Sequence, residues 1–277
     1  TQIRPQMSGL LGRVLVAVPL ALVAILAVVS GGWPMVLLAL LGGVVAMHEF
    51  GSMTRELRPL TIAGFAGVVG VIVAVHEGGL VWSLLPLLLT LLLAFWLSVI
   101  ADVRQTATVQ LAVTLFGVCW IGYGIGFLVA VRDIAQPSGW GETLLIAVLL
   151  GVWMSDIFAF IGGRMFGRRK LASEISPNKT WEGFLIGLLV GTATVFFWLY
   201  GQPTDDPISP LNAFEFALAI AIASPVGDLF ESYLKRDWGV KDVGRLLGGH
   251  GGELDRIDAL LFAGAAAYFV ALALGRA

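Results

Sequence analysis

Long apolar segments dominate this sequence and constrain what it can fold into. A helix that crosses the hydrocarbon core of a bilayer needs about 20 mostly apolar residues. Nine stretches come close to that length: 14–31, 34–50, 60–76, 80–101, 108–131, 143–164, 183–201, 213–235 and 256–275. We therefore predict an all-α polytopic membrane protein with about nine transmembrane helices.

The composition supports this class and excludes others. Of the 277 residues, 58% are hydrophobic and only 13% are charged, whereas about 25% are charged in a typical soluble domain. Too few polar residues are present to cover a water-facing surface. The single cysteine, Cys119, cannot form a disulfide within the chain, which excludes a disulfide scaffold.

The basic residues predict the orientation of the helices. Lys and Arg accumulate on the cytoplasmic side of membrane proteins. If the N-terminus is cytoplasmic and nine helices cross the bilayer, only Arg132 and Arg276 of the 17 Lys and Arg residues fall on the outer side. The sequence therefore predicts an N-in, C-out topology, with a polar cavity that opens to the cytoplasm.

Residues capable of chemistry are unevenly distributed along the chain. The first part is mostly Leu, Val, Ala and Gly, and most of the remaining charge lies in 155–182 and 224–258. We predict an N-terminal helical membrane region at 1–142 with about five spans. A C-terminal catalytic membrane region at 143–277 follows, with about four spans and its signature motif at 224–258.

The first polar cluster combines a carboxylate in an apolar segment with a basic loop. Asp156 lies about two turns inside the sixth segment, where a carboxylate is costly unless it faces a polar cavity or a partner. The loop continues to a predicted turn with Ser176, Asn178 and Lys179 just before a helix, and a helix N-terminus readily binds phosphate. An alternative is that the basic residues only contact lipid headgroups.

The second cluster forms a polar stripe on one helix. Ser224 and Asp228 are four residues apart, as are Glu231 and Lys235, so they lie along one side of a helix. Together with Asp156, we expect Ser224 and Glu231 to line the cavity. The alternative is a stripe that only packs helices together, although a carboxylate within a membrane segment is by default a functional-site hypothesis.

The third cluster lies at the start of the last span. Asp255 and Asp258 are three residues apart and therefore share a helix face. With Asp228 they offer oxygen ligands, which suit Mg²⁺ together with substrate phosphates. Carboxylates that hold a metal, flanked by Lys and Arg, are typical of phosphoryl or nucleotidyl transfer.

Two further groups have alternative roles. His250 lies among four glycines and is either a substrate-binding residue or a structural loop residue. Glu49, near the cytoplasmic end of the second segment, either lines the same cavity with His48 or has a capping or pairing role.

Two runs, 232–242 and 250–258, closely resemble the signature of the phosphatidate cytidylyltransferases, also called CDP-diacylglycerol synthases. The stretch 155–183, the chain length and the nine N-in spans are also similar to that family. One position departs from it, because the family often has Pro before His-Gly-Gly and this sequence has Gly248. The departure loosens the loop without removing a ligand.

The resemblance implies that CTP and phosphatidic acid react to give CDP-diacylglycerol and pyrophosphate in phospholipid synthesis. It implies Mg²⁺ and a second cation such as K⁺, held by Asp228, Asp255 and Asp258. It also implies a homodimer in the bilayer of a bacterial cytoplasmic (inner) membrane, with the active site facing the cytoplasm. No nucleic-acid partner is expected.

The residue roles follow from the clusters and the resemblance together. The expected catalytic residues are Asp228, Asp255, Lys179 and Arg236. The expected ligands of the CTP and phosphatidate phosphates are Ser176, Asn178, Lys179, Lys235, Arg236, Lys241, Arg245, His250 and Arg256.

Two other functions remain as alternatives. A CTP-dependent kinase of polyprenol or phytol is distantly similar in sequence, but it would transfer the γ-phosphoryl group and release CDP. A membrane transporter would have ionisable residues along a path to both faces, whereas the outer half of this chain has few of them.

Overall fold

Nearly all of the described chain is helical. The computed structural model describes residues 22–100, 107–135, 139–203, 207–240 and 252–275. The helices are α1 (22–30), α2 (Gly32–Met53), α3 (Thr61–Gly78), α4 (Leu84–Ile100), α5 (Ala107–Arg132, with a π-helical turn at Val118–Gly122), α6 (Trp140–Phe166), α7 (Trp181–Tyr200), α8 (Pro210–Asp237) and α9 (Leu254–Ala273).

Each of the nine predicted apolar segments contains helix. Within the described ranges, seven helices are long and apolar enough to cross a membrane: α2, α3 and α5 to α9. Helix α4 is apolar but shorter, and the part of the first predicted segment before residue 22 lies outside the described residues. The prediction of an all-α polytopic membrane protein is confirmed, while the number of spans and their orientation stay predictions.

The hydrophobic core crosses the boundary between the two predicted regions. One group of buried side chains comes mainly from α1, α5, α6, α7, α8 and α9, and a second comes from α2, α3, α5 and α9. Gly124 and Gly264 allow α5 and α9 to approach closely, because a Cβ atom at either position would collide with a leucine of the other helix. The division into 1–142 and 143–277 therefore does not coincide with a gap in packing and stays a prediction.

Glycines bring α6 and α7 into close contact. Gly183 and Gly187 are four residues apart on one face of α7. A Cβ atom on Gly187 would lie 2.5 Å from the Ser155 carbonyl oxygen, and one on Gly183 would lie 2.6 Å from the Ala159 carbonyl oxygen. Because the two backbones touch, Asp156, which follows Ser155 in α6, is held near the first turns of α7.

A two-stranded hairpin connects α6 to α7. Strand β1 (Lys170–Ala172) pairs antiparallel with β2 (Ser176–Thr180). The prediction of a turn at 176–180 was wrong, because the turn lies at 173–175 and the Ser-Pro-Asn-Lys-Thr run is β2. A strand can include Pro177 here, since both strands of a two-stranded sheet are edges and tolerate a missing N–H donor.

Both ends of the hairpin are fastened to helices. The Thr180 hydroxyl caps α7 by accepting a hydrogen bond from the Gly183 N–H at 3.2 Å. At the other end of β2, the Arg236 guanidinium of α8 donates to the Ile175 carbonyl at 3.2 Å. The hairpin therefore has a defined position over α7 and α8.

The α6–α7 contact provides a stability test. We expect Gly187→Ala to lower the free energy of unfolding by about 1–3 kcal/mol, because the added methyl group must push α6 and α7 apart. Gly42→Ala is the matched control, since the nearest atom to its new Cβ would be 3.9 Å away and alanine favours a helix interior. Thermal unfolding in detergent measures both, and equal stability of the two variants would contradict the close contact.

Candidate active site

A cavity of about 620 Å³ lies between α6, α7, α8 and β2. Its polar lining consists of Ser155, Asp156, Arg164, Ser176, Asn178, Lys179, Thr180 and Asp228. The rest of the wall is mostly apolar and includes Phe160, Phe184, Leu188 and Ala221. The cavity therefore offers charged groups and an apolar surface side by side.

An ion pair joins β2 to α8 inside this cavity. The Lys179 Nζ lies 2.5 Å from the Asp228 Oδ2, and the two side chains are 25% and 34% exposed. The Ser232 hydroxyl, one turn along α8, is 3.4 Å from the other oxygen of Asp228. Asp156 of α6 interacts electrostatically with both Asp228 and Lys179, so three elements contribute charge to one point.

A second lysine joins α8 to α9. The Lys235 Nζ donates to the Glu231 Oε2 at 2.7 Å and to the Asp255 Oδ1 at 2.6 Å. The Glu231 side chain is only 1% exposed, and that of Lys235 is 13% exposed. The Asp255 Oδ2 also accepts a hydrogen bond from the Gly252 N–H at 2.8 Å. Lys235 thus offsets part of the negative charge of two carboxylates that would otherwise be costly to bury.

Asp258 interacts with a member of each ion-paired group, Asp228 in the first and Glu231 in the second. Its side chain is buried. We use the term acidic cluster for the linked carboxylates Asp156, Asp228, Glu231, Asp255 and Asp258. The cluster holds more carboxylates than the two lysines can neutralise, so it can accept additional positive charge.

The start of α9 is held by a residue from the distant helix α2. The Glu49 side chain is buried, and its Oε2 accepts a hydrogen bond from the Leu254 N–H at 2.9 Å. Of the two alternatives for Glu49, the structure shows the capping role. Burial, together with the Glu49 carboxylate, raises the pKa of Glu253, which precedes α9, and the Arg256 guanidinium opposes this rise.

The structure brings together most of the predicted site residues that it describes. Asp156, Ser176, Asn178, Lys179 and Asp228 line the cavity. Lys235, Asp255 and Asp258 lie next to it in and around the acidic cluster. Arg256 is half-buried near Glu253. Lys241, Arg245 and His250 lie outside the described residues.

Two of the residues expected in the cavity do not line it. Ser224 and Glu231 are buried, whereas Ala221, Pro225 and Asp228 form the α8 side of the cavity. Steps of three or four residues put all of these positions on one side of α8, but Ser224 and Glu231 lie on its flank, where both are buried. There Glu231 pairs with Lys235 and interacts with Asp255 and Asp258 of α9.

Arg236 is also placed differently from the prediction. It is exposed and donates to the hairpin backbone, and it is not among the residues that line the cavity. A position at the end of α8, beside β2, explains this contact. In this arrangement Arg236 holds the hairpin, and its catalytic role stays a prediction.

Three polar residues of the cavity were not singled out from the sequence. Ser155, Arg164 and Thr180 all line it. Arg164 belongs to the basic stretch after α6, and Ser155 precedes Asp156, so each had a weak signal in its neighbour. Thr180 could have been found as an N-cap, because threonine before a helix commonly caps it.

The acidic cluster has donors that suit Mg²⁺. Among the described residues, no three His, Cys, Asp or Glu side chains are grouped to hold a metal ion, and lysines contact Asp228 and Asp255 instead. The donors in the cluster are all carboxylate oxygens, which a hard cation prefers. Mg²⁺ commonly binds through one or two carboxylates plus substrate phosphates, so the donor set fits it.

The fold and the site agree with the comparison to known proteins. The model of the cytidylyltransferase family matches residues 11–274. The match covers nearly the whole chain, including every element around the cavity and the acidic cluster. The chain belongs to the cytidylyltransferase family.

Individual relatives support the same family. The chain is 30% identical over 269 residues to a phosphatidate cytidylyltransferase of Bacillus subtilis, which covers 93% of this chain and 96% of the relative. It is 37% identical over 191 residues to a phosphatidate cytidylyltransferase of Thermotoga maritima, with 67% and 68% covered.

A plant relative matches a shorter stretch. Phosphatidate cytidylyltransferase 4, chloroplastic, of Arabidopsis thaliana is 42% identical over 179 residues, which is 57% of this chain and 45% of the relative. The chain thus matches less than half the length of this chloroplastic protein.

The contact between Lys179 and Asp228 predicts non-additive effects on stability. Lys179→Met alone should lower the free energy of unfolding by about 1 kcal/mol, because the carboxylates Asp228 and Asp156 lose their neutralising charge. Adding Asp228→Asn should restore part of that loss. Unfolding of the two single variants and the double variant in detergent forms a double-mutant cycle, and strictly additive effects would show that the pair does not interact.

Proposed function

We propose that this chain transfers the cytidylyl group of CTP to phosphatidic acid, giving CDP-diacylglycerol and pyrophosphate for phospholipid synthesis. The observation that carries the proposal is the cavity, in which the Lys179–Asp228 ion pair lies beside an apolar wall in a member of the cytidylyltransferase family. The relatives are named for the same reaction, which supports the choice of substrates.

The two parts of the cavity match the two parts of a phosphatidate molecule. The apolar wall includes Phe160, which is 68% exposed on α6, and Leu188 on α7. Both belong to helices that we expect to face lipid, so an acyl chain can lie against them. The phosphate group then comes near Lys179 and Arg164, which supply positive charge.

The lysines are placed to exchange one anionic partner for another. Lys179 and Lys235 pair with carboxylates of the acidic cluster. The ammonium group of each can instead pair with a substrate phosphate. Ser176 and Asn178 on β2 line the same cavity as Lys179 and would help orient the triphosphate. Placement of the reactants and electrostatic stabilisation would then account for most of the catalysis.

The chemical step balances without a strong base. A phosphatidate oxygen, already an anion, attacks the α-phosphorus of CTP and forms a new P–O bond. The bond between the α-phosphorus and the oxygen that bridges to the β-phosphorus breaks, and pyrophosphate leaves with that electron pair. Lys179 would stabilise the negative charge that accumulates on the leaving group.

We include Mg²⁺ in the proposal as the cofactor. Asp228 and Asp255 would hold it, with Asp258 as a further carboxylate, and a second cation such as K⁺ would occupy the same cluster. Bound Mg²⁺ supplies charge neutralisation on the phosphates. The support is the excess of carboxylates over lysines in the acidic cluster.

The cellular setting is part of the proposal. We place the protein in a bacterial cytoplasmic membrane with N-in orientation and the active site toward the cytoplasm, where CTP is available. The distribution of Lys and Arg supports this orientation. The proposed homodimer is supported by the family resemblance.

A labelling experiment tests the reaction. Purified protein incubated with α-labelled CTP, phosphatidate and Mg²⁺ should move the label into the lipid phase and release pyrophosphate. Asp228→Asn should reduce the rate by at least about a hundredfold, because it removes a charge at the reacting phosphates.

The control and the contrary results are specific. Glu215→Gln, an exposed position near the other end of α8, should keep the wild-type rate. Near-normal activity of Asp228→Asn would contradict its role. Absence of label in lipid, with CDP released from CTP when a lipid alcohol replaces phosphatidate as acceptor, would replace the proposal with a lipid kinase.

Removal of the divalent cation gives a separate prediction. Treatment with EDTA should abolish cytidylyl transfer, and added Mg²⁺ should restore it, since the triphosphate charge would otherwise be only partly neutralised. Ca²⁺ should restore little activity, because it is larger than Mg²⁺ and prefers more oxygen ligands than one or two carboxylates and a triphosphate provide. Full activity in EDTA would contradict the Mg²⁺ assignment.

A further inference from the structure

Helix α9 carries two carboxylates of the acidic cluster in its first two turns, so its start must be held in place. The first N–H groups of a helix have no partner within the helix. At α9 the side chain of the preceding residue, Glu253, does not cap these N–H groups. The Leu254 N–H instead bonds to Glu49, which lies 205 residues earlier in the sequence.

We propose that Glu49 is a positioning residue, which fixes the first turn of α9 and thereby the places of Asp255 and Asp258. The inference rests on the proposed function, because the acidic cluster is the candidate centre for that reaction. Glu49 itself lies outside the lining of the cavity, so it acts through α9.

The Glu49 carboxylate is well suited to this role. It is 2% exposed, so the hydrogen bond to the Leu254 N–H is shielded from water. A negative charge at a helix N-terminus is also favoured by the helix dipole. The other oxygen, Oε1, is buried and has no hydrogen-bond partner among the described residues; within these residues, the Leu254 N–H is the group that donates to this carboxylate.

Gly252 leaves the space that the Glu49 carboxylate fills. A Cβ atom on Gly252 would lie 2.5 Å from the Glu49 Oε2 and 2.8 Å from its carboxyl carbon. The same glycine donates its N–H to Asp255 at 2.8 Å. One short segment therefore connects Glu49 to a carboxylate of the acidic cluster.

This arrangement allows the contact to be broken in two independent ways. Glu49→Ala removes the acceptor. Gly252→Ala keeps Glu49 but forces its carboxylate, the free end of a flexible side chain, away from the Leu254 N–H. In the double variant the new methyl group meets no carboxylate, so the second substitution should add little to the first.

The first measurement does not depend on catalysis. Hydrogen exchange of the amide of Leu254 should be about tenfold faster in Glu49→Ala and in Gly252→Ala, since loss of a cap weakens a helix start by an amount that corresponds to about that factor. Glu49→Gln retains an acceptor oxygen and should show a smaller increase. Glu56→Gln, an exposed glutamate near the end of α2, is the control and should match the wild type.

The second measurement separates positioning from general loss of structure. In Glu49→Ala and Gly252→Ala, the Mg²⁺ concentration for half-maximal transfer should rise about tenfold by the same argument. The KM for phosphatidate should stay within about twofold, because its cavity is formed by α6, α7, α8 and β2. Partial unfolding alone would lower kcat without raising the Mg²⁺ requirement.

Each contrary result has a defined meaning. Unchanged exchange at Leu254 in Glu49→Ala would overturn the capping contact and the proposal with it. Faster exchange with a wild-type Mg²⁺ requirement and kcat would overturn the positioning role. A wild-type protein that transfers no label would overturn the proposed function, while the exchange measurement would still decide whether Glu49 holds α9.

Discussion

The need to neutralise buried carboxylates governs how the helices of this protein are arranged. Glu231 is 1% exposed, and an ionised carboxylate at such a site requires a partner because removal from water is costly. Lys235 pairs with both Glu231 and Asp255 and offsets part of their charge, which ties α8 to α9. Lys179 does the same for Asp228 and ties the hairpin to α8.

The polar ends of helices serve the same site. Thr180 caps α7 and lines the cavity, and Glu49 caps α9 from helix α2. Backbone groups at helix ends need partners, above all where water is scarce. Here those partners lie next to the residues proposed to act on substrate, so the forces that complete the helices also organise the site.

Spacing along a helix made part of the site predictable. Asp255 and Asp258 share a face because they are three residues apart, and the structure places both in the acidic cluster. The same reasoning was wrong for Ser224, which is buried beside the cavity, because spacing shows which residues share a face but leaves open what that face meets. The turn expected at 176–180 became β2 because pairing with β1 supplied backbone partners that a local pattern does not reveal.

The sequence by itself determined the class of protein, the places of the helices and the concentration of charge in the second half of the chain. These follow from local properties, since apolar length and residue spacing act over one or two helical turns. Only the tertiary structure decided which lysine neutralises which carboxylate and that Glu49 holds the start of α9. Those pairings join residues up to 205 positions apart, and they depend on how the helices pack, which local spacing does not specify.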